Sequence, residues 1–192
     1  LAAVGFAKAK RRRQIMVATS SIGPGALNMV TAAGTAHANR LPVLLIAGDT
    51  FTNRLPDPVL QQVEHFNDPS LTVNDAFKSV SRYWDRISHP AQIIASLPQA
   101  VGAMLDPADC GPAFIALPQD TQELAFDYPA AFFEPRLWAI PRPRPDRRAM
   151  AEAAAMGAGK SARLIRAEEA DPEGDKGKAH GVVRAGRANP SS

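Results

Sequence analysis

Short, nearly pure apolar runs recur along the first two thirds of the chain. Each run has the length of a strand and is bounded by glycine, proline or polar residues. That pattern is typical of parallel strands buried on both faces. The runs predict three strands, at residues 14–19, 42–47 and 111–118.

Segments rich in alanine and other small residues lie between the runs and predict helices, at residues 1–13, 26–38 and 90–106. Pro90 suits a first helical turn, whereas Pro98 is expected to kink or restart its helix. Residues 51–74 carry Pro, Asn and Asp throughout and predict a long loop, a kind of segment that is usually functional or disordered. The order of the elements predicts an α/β fold with a mainly parallel sheet.

Three polar or glycine-rich segments follow the predicted strands. They are the turn Gly23-Pro24-Gly25, the loop after Asp49, and Pro118-Gln119-Asp120. Ligands of parallel sheets bind beyond the carboxyl ends of the strands. We therefore expect these segments to lie along one edge and to include any ligand site.

The Gly23-Pro24-Gly25 turn allows three interpretations. It is a plain strand-to-helix turn, a phosphate cradle at a helix N-terminus, or a surface against which a flat heteroaromatic ring lies. In the last case Pro24 supplies an apolar wall and Asn28 a nearby amide. Neither a G-x-G-x-x-G sequence nor a P-loop is present here, and "GAGKS" at residues 157–161 lacks the first P-loop glycine, because position 154 is alanine.

Charge and cysteine content narrow the classes of function. The net charge is +3, and the one basic cluster, at residues 8–13, has no interleaved aromatic residues. It predicts a solvated helix end and not a nucleic-acid surface. The single cysteine, Cys110, excludes an internal disulfide, is expected to be an inert buried or turn thiol, and fits a reducing, cytoplasmic setting. No apolar run predicts a membrane span, and no membrane partner is expected.

Two segments in the correct order resemble a known family. "TSSIGPGALNMVTAAGTAHANRLPVLLIAGD" and "GPAFIALPQDTQ" are similar to the pyrimidine-binding domain of thiamine-diphosphate enzymes of the acetolactate-synthase group. The resemblance covers roughly residues 1–145. It implies a three-layer sandwich with a mainly parallel sheet, the thiamine-diphosphate-binding fold. That fold would be incomplete at the N-terminus, since the chain starts inside a helical pattern without Met, as a fragment would.

Two further segments narrow the resemblance within the family. "NRLPDPVLQQVEHFND" and "VNDAFKSVSRYWDRI" are similar to members that hydrolyse a carbon–carbon bond of a cyclic 1,2-diketone in myo-inositol catabolism. A carboligase or decarboxylase like acetolactate synthase is the alternative enzyme. A truncated product without catalytic activity is the alternative from another class.

The resemblance also implies site residues and partners. Gly23, Pro24, Gly25 and Asn28 would line the pyrimidine ring of thiamine diphosphate, with Gly25 letting the backbone approach the ring. A branched side chain at position 25 is expected to enter the space of the ring and to impose an unfavourable φ. Gln61 is a weak candidate on the substrate side. The activating glutamate is expected upstream of the first residue, so the chain itself holds no catalytic residue. The implied partners are Mg²⁺ and the diphosphate, both held by a domain absent here, a second subunit of a homo-oligomer, and a small diketone derived from a polyol.

Several other residues are expected to be structural. His37 and His65 are predicted to be partly exposed, Tyr83 and Trp84 to be core or interface residues, and Asp49 to cap the segment that follows it. The acidic residues Asp106, Asp109 and Asp120 are too scattered in the sequence to predict a metal site, and they are expected to serve turns.

Composition also divides the chain. Residues 1–140 predict the cofactor-binding domain and residues 141–150, "PRPRPDRRAM", a stiff basic linker. Residues 151–192 predict a tail that begins as an alanine-rich helix. The tail then becomes either a disordered terminus or, from about Ala167, a frame-shifted reading of a central domain.

Overall fold

The computed structural model describes residues 1–55, 61–140 and 145–157. The chain divides into two units, Leu1–Arg142 and Pro143–Ser192. The first unit contains the sheet. In the second unit, residues 147–157 form a helix whose side chains are exposed.

A four-stranded parallel sheet forms the centre of the first unit. Its strands are β1 (Met16–Ser20), β2 (Val43–Asp49), β3 (Tyr83–Arg86) and β4 (Ala113–Pro118), in the order β1-β2-β4-β3. The two central strands are buried almost throughout, which explains their continuous apolar sequence. The three strands predicted from the sequence are confirmed.

The fourth strand, β3, was not predicted. Its sequence "YWDR" holds no aliphatic run, and all four side chains are half-buried at the sheet edge. An edge strand with charged residues gives no hydrophobic signal, so the periodicity of the sequence does not reveal it.

Helices cover both faces of the sheet. On one face, α1 (Ala2–Ala9) and α3 (Val30–Ala38) pack through small residues such as Ala33 and Ala36. On the same side, the rings of Phe77 and Phe114 stack with centroids 3.9 Å apart. On the other face, α4 (Ile93–Leu105) packs through Ala100 and Met104. The predicted three-layer α/β architecture is therefore confirmed.

The helix boundaries differ from those predicted. Helix α1 ends at Ala9, and the basic residues that follow are exposed, as expected of a solvated helix end. The predicted helix at 26–38 divides into α2 (Pro24–Leu27) and α3. Pro98 lies inside α4 without interrupting it, so the predicted restart of the helix is wrong.

Short elements complete the described part of the chain. They are the 3-10 helices Val73–Ser79, Pro90–Gln92 and Ala130–Phe132, and a single helical turn, α5 (Gln119–Gln122). None of the helices in the described ranges is both long enough and apolar enough to cross a bilayer. Leu60, part of the linker, the "GAGKS" residues after Gly157 and the suggested frame shift near Ala167 lie outside the described residues.

Candidate functional site

The carboxyl ends of the four strands lie along one edge of the sheet, as their parallel register requires. Two loops at this edge are tied together by Asp120. Its carboxylate accepts hydrogen bonds from the hydroxyl of Thr52 at 2.6 Å and from the backbone N–H of Asn53 at 3.0 Å. Burial of the carboxyl group opposes its ionisation, but these hydrogen bonds outweigh burial and lower the pKa of Asp120. The prediction that the loops after β2 and β4 lie along one edge of the sheet is confirmed.

Gly23 adopts a backbone conformation that only glycine accommodates easily. Its φ is 67° and its ψ is −128°. A Cβ at this position would collide with the backbone carbonyl of Gln61 and lie 3.5 Å from Cγ2 of Val63. The absent side chain therefore makes room for residues 61–63, which lie directly on the turn. The structure thus brings together Gly23 and Gln61, two residues that the sequence analysis singled out separately.

Gly25 differs from the expectation for it. The backbone φ that disfavours a side chain belongs to Gly23, and Gly25 lies in α2. A Cβ on Gly25 would collide with the hydroxyl of Ser21 and lie 3.2 Å from that of Ser20. Close packing against its own chain therefore already accounts for glycine at position 25.

The outer surface of the turn is open. Pro24, Leu27 and Asn28 are exposed, whereas Gly23 is buried beneath residues 61–63. An apolar proline ring, a leucine side chain and an amide on one short segment suit a flat heteroaromatic ring that also carries hydrogen-bonding groups. The described residues of the turn therefore fit the pyrimidine half of the predicted cofactor.

A buried ion pair stabilises the same edge. Asp49, at the end of β2, is 0% exposed, and its Oδ2 lies 2.6 Å from Nε of Arg86. Nη2 of Arg86 also donates to Thr72 at 2.8 Å and to Asp75 at 2.9 Å. One guanidinium therefore links strand ends β2 and β3 to the residues that begin the 3-10 helix Val73–Ser79.

The charges of this network reinforce one another. Burial disfavours the charged form of Arg86, but hydrogen bonds to Asp49 and Asp75 outweigh burial and raise the pKa of the guanidinium. Burial likewise works against ionised Asp75, yet hydrogen bonds from Lys78, Thr72 and Arg86 lower the pKa of its carboxyl group. Arg86 and Asp75 are therefore both charged at neutral pH.

Asp49 was expected from the sequence to be a cap, and Arg86 was not predicted to have a role. Oδ1 of Asp49 does accept the backbone N–H of Thr50, at 2.9 Å. The larger role is the ion pair, which spans 37 residues of sequence. A carboxylate at the end of a buried apolar strand needs a positively charged partner. That requirement is the one feature of the sequence that points to an ion pair at Asp49, but it does not identify Arg86 as the partner.

A cleft opens beside these residues, between the loop that follows β2 and the segment 62–71. We call it the loop cleft, and its volume is about 300 Å³. It is lined by Thr50, Phe51, Arg54, Gln62, Glu64, His65, Phe66, Pro69 and Leu71. Oε1 of Glu64 is buried and has no hydrogen-bond partner among the described residues. Only His65 of these residues was considered from the sequence.

Other candidates have structural positions. Cys110 is buried, and burial raises the pKa of its thiol, in agreement with an inert role. The side chain of Asp106 accepts two backbone N–H groups of the following turn. Trp84 is half-buried and donates to the carbonyl of Asn74 at 2.9 Å. Within residues 1–55, 61–140 and 145–157, no three His, Cys, Asp or Glu side chains gather as a metal site.

Comparison with known proteins gives two further findings. Residues 1–68 match the family described as thiamine pyrophosphate enzyme, N-terminal TPP binding domain. The chain is 55% identical over 144 residues to a protein of Geobacillus thermodenitrificans named 3D-(3,5/4)-trihydroxycyclohexane-1,2-dione hydrolase. The aligned segment covers 75% of this chain and 22% of the relative.

Proteins with the same name in Bacillus cereus and Clostridium tetani are 51% and 52% identical. These matches cover 81% and 79% of this chain and 24% and 23% of the relatives. The chain thus spans about a quarter of the length of the curated relatives it matches.

Proposed function

We propose that the chain is a member of the thiamine pyrophosphate enzymes, and that it forms the pyrimidine-binding side of a hydrolase that opens a cyclic 1,2-diketone. The substrate named for the relatives, a trihydroxycyclohexane-1,2-dione, is proposed for this protein too, and with it a place in myo-inositol breakdown in the cytoplasm. The observation that carries the proposal is the Gly23 turn, which lies inside the matched region, has an open face, and has residues 61–63 seated on it.

The roles of the residues follow from their positions. Exposed Pro24 supplies an apolar wall for the pyrimidine ring, and the amide of Asn28 supplies hydrogen bonds at the ring edge. Gly23 acts indirectly, because its missing side chain lets Gln61 approach the turn. Gln61 is exposed, and we propose that it meets a substrate bound next to the cofactor. When bound, the cofactor would supply a nucleophilic carbon that adds to a carbonyl group and a positively charged ring that takes up the electrons of the breaking carbon–carbon bond.

We assign the rest of the cofactor to other parts of the enzyme. Magnesium and the diphosphate need a group of oxygen ligands, and no such acidic cluster occurs among the described residues. We propose that a further domain, contributed by a second subunit, holds both groups and covers the turn. The glutamate that activates the pyrimidine is proposed to lie outside this chain.

The 192-residue chain alone is accordingly expected to bind thiamine diphosphate poorly and to turn over no diketone. The pyrimidine contacts by themselves lack the charge-assisted contacts that hold a diphosphate. Calorimetric titration with cofactor and magnesium should give no saturable heat. A dissociation constant of about 1 μM, equivalent to about −8 kcal/mol, would show that the chain holds a complete site.

The chain alone is also expected to self-associate. Leu27 and Val63, at the face proposed to be covered, are 40% and 44% exposed, and Phe66, three residues after Val63 in the sequence, is 78% exposed. Soluble monomers rarely leave contiguous apolar surface of this kind uncovered. Light scattering should show a mass that grows with protein concentration, and replacing Leu27 by serine should reduce that growth. A constant monomer mass at high concentration would contradict the expectation.

A hybrid enzyme tests the proposal as a whole. In the Geobacillus thermodenitrificans relative, the 144 aligned residues are replaced by those of this chain. The hybrid should bind thiamine diphosphate as the unaltered relative does. A hybrid that folds and assembles normally but has lost cofactor binding would contradict the assignment of the turn to the cofactor.

A further inference from the structure

The loop cleft has two kinds of wall. Phe51, Phe66 and Leu71 supply apolar surface, while Arg54 and Glu64 supply charged groups. A carbocyclic polyol has matching properties, because its C–H faces are apolar and its hydroxyl groups form a polar rim. The volume, about 300 Å³, is at the small end of ligand pockets and suits a single six-membered ring better than a nucleotide-sized cofactor.

Glu64 gives the loop cleft its specific chemistry. One carboxylate oxygen is buried, and no described residue donates a hydrogen bond to it. Glu64 also lines the loop cleft. Its carboxylate has a second oxygen, which can accept a hydrogen bond from a ligand hydroxyl there. An ordered O–H to carboxylate bond is also stronger than a bond between neutral groups.

The loop cleft is adjacent to the open turn. The carbonyl of Gln61 and the side chain of Val63 rest against Gly23, and Glu64 is the next residue along the chain. On the other side, Thr50 and Arg54 follow the end of β2 at the same sheet edge. A small ring in the loop cleft therefore lies beside the face that Pro24 and Asn28 offer to a cofactor.

We propose that the loop cleft binds the hydroxylated ring of the substrate and that Glu64 accepts a hydrogen bond from one ring hydroxyl. The identity of the ligand as substrate rests on the proposed function, whereas the affinity for a hydroxylated ring does not. Phe51 and Phe66 pack against the C–H faces of the ring, and the exposed side chain of Arg54 donates to a ring carbonyl or hydroxyl oxygen.

The direct test uses cis-1,3,5-trihydroxycyclohexane as the probe and the 192-residue chain as the receptor. Ligand-observed saturation-transfer NMR detects weak binding even when the receptor self-associates. The chain should bind the probe with a dissociation constant in the millimolar range. Glu64→Gln removes the charge with little change of shape and should weaken binding about fivefold. Cyclohexanol, with one hydroxyl, should bind at least about fivefold more weakly than the probe.

Glu123→Gln is the matched control, because Glu123 is exposed and does not line the loop cleft; it should leave binding unchanged. In the hybrid enzyme, Glu64→Gln should raise KM for the trihydroxycyclohexane-dione about fivefold and leave the affinity for thiamine diphosphate unaltered. Equal binding of the probe to the Glu64→Gln variant and to the unaltered chain, or no saturable binding to either, would overturn the inference.

The outcomes separate this inference from the proposed function. If the hybrid shows no turnover while the chain still binds the probe through Glu64, the proposed function fails and the ring-binding cleft stands. If the hybrid is active while Glu64→Gln changes neither probe binding nor KM, the cleft assignment fails and the proposed function stands.

Discussion

Replacing Gly23 by alanine in the hybrid enzyme is expected to reduce turnover and cofactor affinity by about 100-fold, because displacement of reacting groups by about 1 Å costs that much. The new Cβ collides with the carbonyl of Gln61, which belongs to the backbone and cannot rotate away. The φ of 67° also disfavours alanine. Residues 61–63 must therefore move off the turn. The strain should lower the free energy of unfolding by about 1–3 kcal/mol.

Gly102→Ala is the matched control for this substitution. Gly102 lies in α4, and a Cβ there meets no atom within 4 Å. The same chemical change should leave turnover unaltered and increase stability by up to about 1 kcal/mol, through the higher helix propensity of alanine. The measurement is a thiamine diphosphate titration beside a thermal melt. If the Gly23→Ala hybrid retains its cofactor affinity per folded molecule, the turn has no part in the site.

Replacing Asp49 by alanine is expected to destabilise the chain by about 2–3 kcal/mol, because it leaves the half-buried guanidinium of Arg86 with Asp75 as its remaining counter-charge. The loss should be visible as a lower urea midpoint, followed through the fluorescence of Trp84, whose ring lies beneath Arg86. Replacing both residues, as Asp49→Ala with Arg86→Met, should recover part of the loss.

A second ion pair, between Arg82 and Asp109, serves as the control. The two groups are 3.2 Å apart, and the arginine is as exposed as Arg86, but the side chain of Asp109 is 62% exposed whereas that of Asp49 is 0% exposed. Asp109→Ala should cost less than about 1 kcal/mol, since water already screens the exposed carboxylate. Equal, small losses for Asp49→Ala and Asp109→Ala would show that the Asp49–Arg86 pair contributes no more than a surface pair.

The sequence predicts best those parts of the fold whose composition is determined mainly by burial. The runs that became β2 and β4 had to be buried on both faces, so their apolar sequence identified them as central parallel strands. The edge strand β3 is held by neighbours on one side only and carries Asp85 and Arg86 for reasons of charge. Its composition therefore satisfies no simple pattern.

In the candidate site, too, local backbone features could be predicted from the sequence, whereas contacts between distant residues could not. The sequence of the turn pointed to Gly23 and Pro24 because glycine and proline restrict the backbone in recognisable ways. It did not distinguish Gly23, which needs a positive φ, from Gly25, which needs only space beside Ser21. The partnership of Asp49 with Arg86 and the approach of residues 61–63 to Gly23 depend on contacts between distant parts of the chain. Periodicity carries no information about such contacts.

The central claim is that this domain serves a thiamine-diphosphate-dependent hydrolase of a cyclic 1,2-diketone. The most direct test is the rate at which the hybrid enzyme consumes trihydroxycyclohexane-1,2-dione, with and without thiamine diphosphate and magnesium, and with pyruvate as the competing substrate. We expect cofactor-dependent ring opening at a rate within about tenfold of the unaltered relative, and no condensation of pyruvate. A folded, cofactor-loaded hybrid that leaves the dione intact, or that condenses pyruvate instead, would contradict the claim.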